Sequence, residues 1–261
     1  MKSHLVSLCL LAPLMAAGAA RAEDSDRDGF SLSLGAAGVY RPEFKGSQDY
    51  EFKPLPFVNL RYGRGDYYVT LEGGTLRANV LPSGLLEFGP VLSYERGRKD
   101  DIKNLPVRGL GEIDAAINAG IFARKRWEVG GGDLTIGAQA QTDTGKVHKG
   151  MLATVSLDYD RQFNDRWSAG LSLSTTWADR KYMDTYYGVS RVGGLASGLS
   201  PYDAKAGIEN VEVGASVRYR ISDRWNALAH GSYGRLVDSA ADSPIVTANQ
   251  HQLIFGLIYS F

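Results

Sequence analysis

Apolar and polar positions alternate along most of this chain, with a period of two. Ile113, Ala115, Ile117, Ala119 and Ile121 are interleaved with Asp114, Ala116, Asn118, Gly120 and Phe122. Val211, Val213, Ala215, Val217, Tyr219 and Ile221 are interleaved with Glu212, Gly214, Ser216, Arg218 and Arg220. Successive side chains of a strand point to opposite sides, so each segment predicts a strand with one aliphatic face and one polar, glycine-spaced face. The rhythm continues to the end of the chain, where Leu253, Phe255, Leu257, Tyr259 and Phe261 share a face over 251–261. Candidate strands fall near 30–40, 53–63, 67–80, 86–96, 111–126, 132–142, 150–163, 166–178, 204–221, 224–237 and 250–261. That is an odd number, whereas single-chain bacterial barrels normally have an even one. Twelve strands is the expectation and ten the alternative. The missing strand is hidden in 97–110 or 179–203, or comes from dividing 67–80 at Gly73-Gly74. Pro54 and Pro56 offer no ladder donor, which suggests that 53–63 begins at Phe57.

A chain that stops in mid-strand leaves an open edge, tolerable when another strand pairs with it, as in a closing barrel. The alternation alone fits a water-soluble β-sandwich equally well, because the polar face could be a wet exterior instead of a lumen. The other end of the chain helps to decide. Lys2, the apolar run from Leu5 to Ala17 and Ala20-Arg21-Ala22 read as a secretory signal peptide over 1–22, leaving a barrel domain over 23–261. The run is too short to span about 30 Å of hydrocarbon as a helix. The only cysteine, Cys9, lies inside this leader, so the mature chain has no thiol for a disulfide, metal site or nucleophile. Loss of Lys2 and Arg21 leaves 27 basic against 29 acidic residues, a net charge of about −2, which gives no reason to expect nucleic acid.

A weak internal repeat places the aromatics. Ser156-Leu-Asp-Tyr159 leads into Phe163-Asn-Asp-Arg-Trp167, and Ser216-Val-Arg-Tyr219 leads into Ile221-Ser-Asp-Arg-Trp225. Each unit runs a strand to a tyrosine, turns through Asn/Ser-Asp-Arg and restarts on a tryptophan. Asn and Asp favour such turns by bonding their own backbone. Tyr159, Trp167, Tyr219 and Trp225 suit a membrane interface because each pairs an apolar ring with a polar tip. Short turns belong to the periplasmic end of outer-membrane barrels, which makes 178–203 a long extracellular loop. Its tyrosines suggest that it folds over the barrel mouth.

Two resemblances sharpen the picture. The terminal strand is similar to those of bacterial outer-membrane proteins, which implies that Phe261, Tyr259 and Leu257 form a signal read by the barrel-assembly machinery. Gly38-Val-Tyr-Arg-Pro-Glu-Phe-Lys-Gly-Ser-Gln-Asp-Tyr50, Pro54-Leu-Pro56, Arg61-Tyr-Gly63, Gly89-Pro-Val-Leu-Ser-Tyr94, Leu110-Gly-Glu-Ile-Asp114, Tyr186-Tyr-Gly-Val-Ser190 and Ser197-Gly-Leu-Ser-Pro201 together resemble the MipA/OmpV family, in its order, through nearly the whole mature chain. This implies an all-β, antiparallel transmembrane barrel in the outer membrane of a Gram-negative bacterium, in contact with lipid and lipopolysaccharide. It also implies a scaffold linking a lytic transglycosylase to a penicillin-binding protein in murein assembly. A small pore or a surface adhesion and stress-response protein is the alternative.

Enzymatic signatures are few. The mature histidines are His148, His230 and His251, with no nucleophile elbow, zinc-protease motif or P-loop, and no cofactor is expected. His230 and Ser232 should face the lumen together, and His-x-Ser resembles the outer-membrane lipid A deacylase, making a lipid A hydrolase the remaining alternative. That enzyme works at the membrane-facing surface, so the pair reads here as polar lumen lining. Glu112 with Asp114, and Glu212 with Arg218 and Arg220, similarly read as charges paired across a hydrated lumen instead of glycosidase carboxylates.

Overall fold

The computed structural model describes residues 28–261 except Ser83 and Leu85; the expected leader lies outside the described residues. The chain forms β1 (Gly29–Pro42), β2 (Tyr50–Arg64), β3 (Tyr67–Glu72), β4 (Thr75–Asn79), β5 (Glu87–Glu95), α1 (Leu105–Arg108), β6 (Ala116–Val129), β7 (Gly132–Asp143), β8 (Met151–Gln162) and β9 (Trp167–Ala178). Then come α2 (Arg180–Tyr187), α3 (Arg191–Ser197), β10 (Gly207–Arg220), β11 (Trp225–Leu236), α4 (Asp238–Ala241) and β12 (Asn249–Ser260). The strands close into one antiparallel barrel of twelve. Its seam joins β1 to β12, from Ser33↔Ser260 to Tyr40↔Leu253, so the last edge is paired. The twelfth strand arises where Gly73-Gly74 divides 67–80, both glycines having positive φ in the two-residue turn between β3 and β4.

Three boundaries differ from the sequence reading. The strand expected over 111–126 runs over Ala116–Val129, and Ile113 is buried in a loop instead of facing lipid. The strand expected from 204 starts at Gly207, and the segments 97–110 and 179–203 hold short helices instead of a hidden strand. β2 begins at Tyr50, ahead of both prolines, and pairs with β1 without interruption from Pro42↔Tyr50 to Gly29↔Gly63. The prolines are tolerated because of what lies on the other side. β3 pairs with β2 only from Asn59 onward, so residues 50–58 have no strand there. The Tyr50 carbonyl points to this open side, where Lys103 Nζ donates to it at 2.9 Å. Backbone groups alternate in direction, so Pro54 and Pro56 also turn their missing N–H toward the open edge, where an absent donor blunts unwanted pairing.

The faces divide as their alternation requires. Val211, Val213 and Val217 are exposed on the outside of β10, while Gly214 and Ser216 are buried inside. Apolar side chains on that outer surface are what a hydrocarbon solvent favours. The lumen is not wholly hydrophilic, however: Ala37, Val39, Leu55, Phe57, Leu228, Ile254 and Ile258 form a buried apolar cluster against the β1, β2, β11 and β12 wall. A narrow barrel must fill its interior with side chains, and this side is filled by hydrocarbon. Both described chain ends and the short turns after β2, β6, β8 and β10 lie at one end, the periplasmic one.

Candidate functional site: the capped lumen

At the opposite end, long connections fold inward and on one another. α2 opens on Asp179, whose carboxylate accepts from the Tyr182 amide at 3.0 Å, a side-chain cap that fixes where the helix begins. From there Tyr182, Met183, Tyr186 and Tyr187 fall on one face and are buried, packing with Leu152, Ala204, Leu236 and Ala240. Phe44, Ile102, Val107, Val189 and Ile245, drawn from four connections, form a second apolar cluster. An isolated bridge ties Val189 to Tyr202, and Ser243 donates to the Tyr187 carbonyl at 2.6 Å. The mouth therefore has its own small core, and 178–203 is a packed lid as its tyrosines suggested.

A buried charge network pins this lid to the wall. The register of β10 shifts between Ile208 and Asn210, so Glu209 is the extra residue of a bulge, which aims its side chain into the lumen. It is 1% exposed. Its Oε1 accepts from Tyr187 Oη at 2.7 Å, Tyr182 Oη at 3.2 Å and Lys45 Nζ at 3.1 Å. Lys45 Nζ also donates to Tyr182 Oη at 2.6 Å and pairs with Glu95 at 3.0 Å. Burial works against the Lys45 charge, yet Glu209 and Glu95 outweigh it and hold the ammonium's pKa well above the usual lysine value. Burial first, and Glu209 next, push the hydroxyls of Tyr182 and Tyr187 upward, so both stay protonated as donors. One lysine thus joins 43–49, β5, α2 and β10.

His148 anchors the connection after β7. The Gly150 amide donates to its Nδ1 at 3.1 Å, which leaves Nε2 as the protonated nitrogen that donates to Asn118 Oδ1 at 2.9 Å. Burial lowers its pKa, so the neutral ring is the one that fits.

The residues singled out from sequence fall into three places. Trp167 packs on Tyr219 with centroids 4.6 Å apart, Trp225 on Tyr259 at 5.1 Å, and Tyr159 Oη donates to the Val129 carbonyl, all at the short-turn end. Phe261 packs on Tyr259 at 4.8 Å and its amide donates to the Leu32 carbonyl, while Leu257 faces outward. His230 and Ser232 lie opposite Ser216 and Gly214 of β10, and the Ser232 hydroxyl bonds the Glu212 carboxylate. That contact engages the hydroxyl a base–nucleophile pair would need. Among the described residues no group of three His, Cys, Asp or Glu side chains is arranged to hold a metal ion. Lys45, Glu95 and Glu209 were not singled out. The tyrosine spacing of α2 was a usable signal, whereas a bulge that re-aims Glu209 leaves none in the sequence.

Comparison with known proteins gives one family and several barrels. Residues 34–261 match the family described as MltA-interacting protein MipA. Outer membrane protein OmpV of Vibrio cholerae serotype O1 is 25% identical over 268 residues, covering 98% of this chain and 99% of that protein. Among solved structures, the translocator domain of the autotransporter NalP from Neisseria meningitidis aligns with a TM-score of 0.47 at 11% identity, over 90% of this chain and 89% of that one. In-vitro-folded OmpT of Vibrio cholerae aligns at 0.43 and 8% identity, over 89% and 96%.

Proposed function

The chain belongs to the MipA family of MltA-interacting proteins, and on that premise we propose that this outer-membrane barrel is a non-catalytic, non-conducting scaffold working from its periplasmic end. The observation that carries the reading is the sealed outer mouth, where five connections share buried apolar clusters and a charge network instead of leaving a passage. A barrel closed to the outside has its accessible recognition surfaces at the rim of short turns. The family description names MltA as the partner, and the resemblance read from the sequence implies that such a partner is a lytic transglycosylase, which a scaffold would hold beside a murein synthase of the penicillin-binding class. The turns over 163–166 and 221–224, each closed by a side chain that accepts from the following Trp amide, offer a rigid contact surface.

The test is crosslinking in intact cells from photoreactive residues placed at Asp165 and Asp223, followed by purification of the full chain in mild detergent. Retention of murein enzymes at these positions, and not at Val192 in the outer loop, is expected. A solitary barrel with no such adducts would overturn the scaffold reading.

A further inference from the structure

We propose that the outer wall of the barrel holds a phospholipid of the inner leaflet in a groove along β11. The groove is apolar and faces away from the lumen. Its floor is Ala227 and Ala229, with Val217 and Tyr219 of β10 forming one wall and Phe255 and Leu257 of β12 the other. The internal repeat supplies a control within the same molecule. β9 and β11 both restart on a tryptophan followed by an outward alanine, but β9 then carries Leu171 and Leu173 outward where β11 has Ala229 and Gly231. The wall of β9 is filled and that of β11 is not. In hydrocarbon such a recess is occupied, because an empty one forfeits contacts on all its lining atoms.

Length and charge specify the occupant. The groove begins at the interface aromatics around Trp225 and ends where the Leu253 side chain leans over Gly231, within 3.2 Å of the place a Cβ would occupy. At a strand tilt of about 40°, that stretch climbs about 15 Å, roughly half of an apolar band about 25 Å tall. One leaflet's acyl chain fits it. At the periplasmic mouth stand two arginines, each at the equivalent place in the repeat and each held by a tyrosine hydroxyl: Arg166 on Tyr219 at 3.4 Å and Arg224 on Tyr259 at 3.0 Å. Guanidinium groups positioned at headgroup depth on either side of an apolar channel match a phosphate carried on acyl chains.

The full-length protein, purified from outer membranes in mild detergent, is assayed for retained phosphate-containing lipid by native mass spectrometry, then titrated with phosphatidylglycerol. Ala229→Leu copies the leucine that β9 already accommodates and should lower retained phospholipid about tenfold, the loss of a few methylenes' contact. Arg166→Gln with Arg224→Gln should abolish the preference for phosphatidylglycerol over a zwitterionic lipid. Heat-modifiable gel migration reports the fold, and Ala227→Val replaces Ala229→Leu if that variant does not assemble. Unchanged retention in the filled-groove variant would mean ordinary annular lipid only and would overturn the proposal. So would disulfide-linked dimers from Ala229→Cys in membranes, because a second copy would then be the occupant.

Discussion

Among single residues, Glu209 has the largest structural consequence. Three donors converge on one of its oxygens inside a water-poor lid, and the chain places it there by an irregularity in β10. Removing Lys45 leaves the buried Glu209 carboxylate with its two tyrosine donors but without its countercharge, and because the Lys45 side chain is itself 35% exposed the cost stays below that of breaking a fully buried pair. Lys45→Met is therefore expected to loosen the lid while leaving the barrel assembled. Limited proteolysis of whole cells reads this as new cleavage within 188–206; resistance equal to the parent's would show the network to be dispensable. His148 sets a pH dependence. Its pKa is depressed by burial, with Asp143, Glu95 and Asp179 opposing and Lys45 adding to the shift. The contribution of the neutral ring is complete above the unfolded imidazole value of about 6.5 and is lost as pH falls from there through the folded value. Protonation of Nδ1 removes the acceptor for Gly150. Lid stability measured by hydrogen exchange over 144–150 should decline from pH 7 to pH 5 in the parent and stay flat in His148→Gln.

Among the elements, the β3–β4 hairpin is the weak part of the wall. β4 pairs with β5 only over 75–77, Pro90 interrupts the donors of β5, and the upper edge of β2 has no strand beside it. Arg96, which donates to Glu51 at 3.0 Å and to the Pro42 carbonyl at 2.8 Å, and Lys103 strap the loop after β5 across this gap. Backbone exchange should therefore be fastest over 67–79 among the strands, since local opening tracks sparse pairing; equal protection around the barrel would contradict this. The hairpin's existence was legible, because Gly73-Gly74 is a turn signal between alternating segments. Its consequence for β2 was not. Pro54 and Pro56 read as strand breakers until the neighbouring strand proves too short to need their donors. The tyrosines of α2 marked a packed lid, but not what orders it, since the helix owes its place to contacts with β8, 237–248 and Lys45, all distant in sequence.

For the molecule as a whole, period-two alternation located the strands, while the leader, the terminal strand and the aromatic placement favoured a barrel over a sandwich, and the closed β1–β12 seam bears that out. The alternation was silent on how the lumen is filled: apolar side chains at Leu55, Phe57, Leu228 and Ile254 occupy inward positions where polar ones were expected. It was also silent on the outer mouth, which is closed by loops whose apolar residues carry no period. With its outer mouth packed by loops and part of its lumen filled by side chains, the barrel has the features on which the proposed non-conducting scaffold rests. Planar-bilayer recording of the purified full-length protein tests that directly. The account predicts a quiet bilayer for the parent protein. Large, stable steps from the parent protein would contradict it.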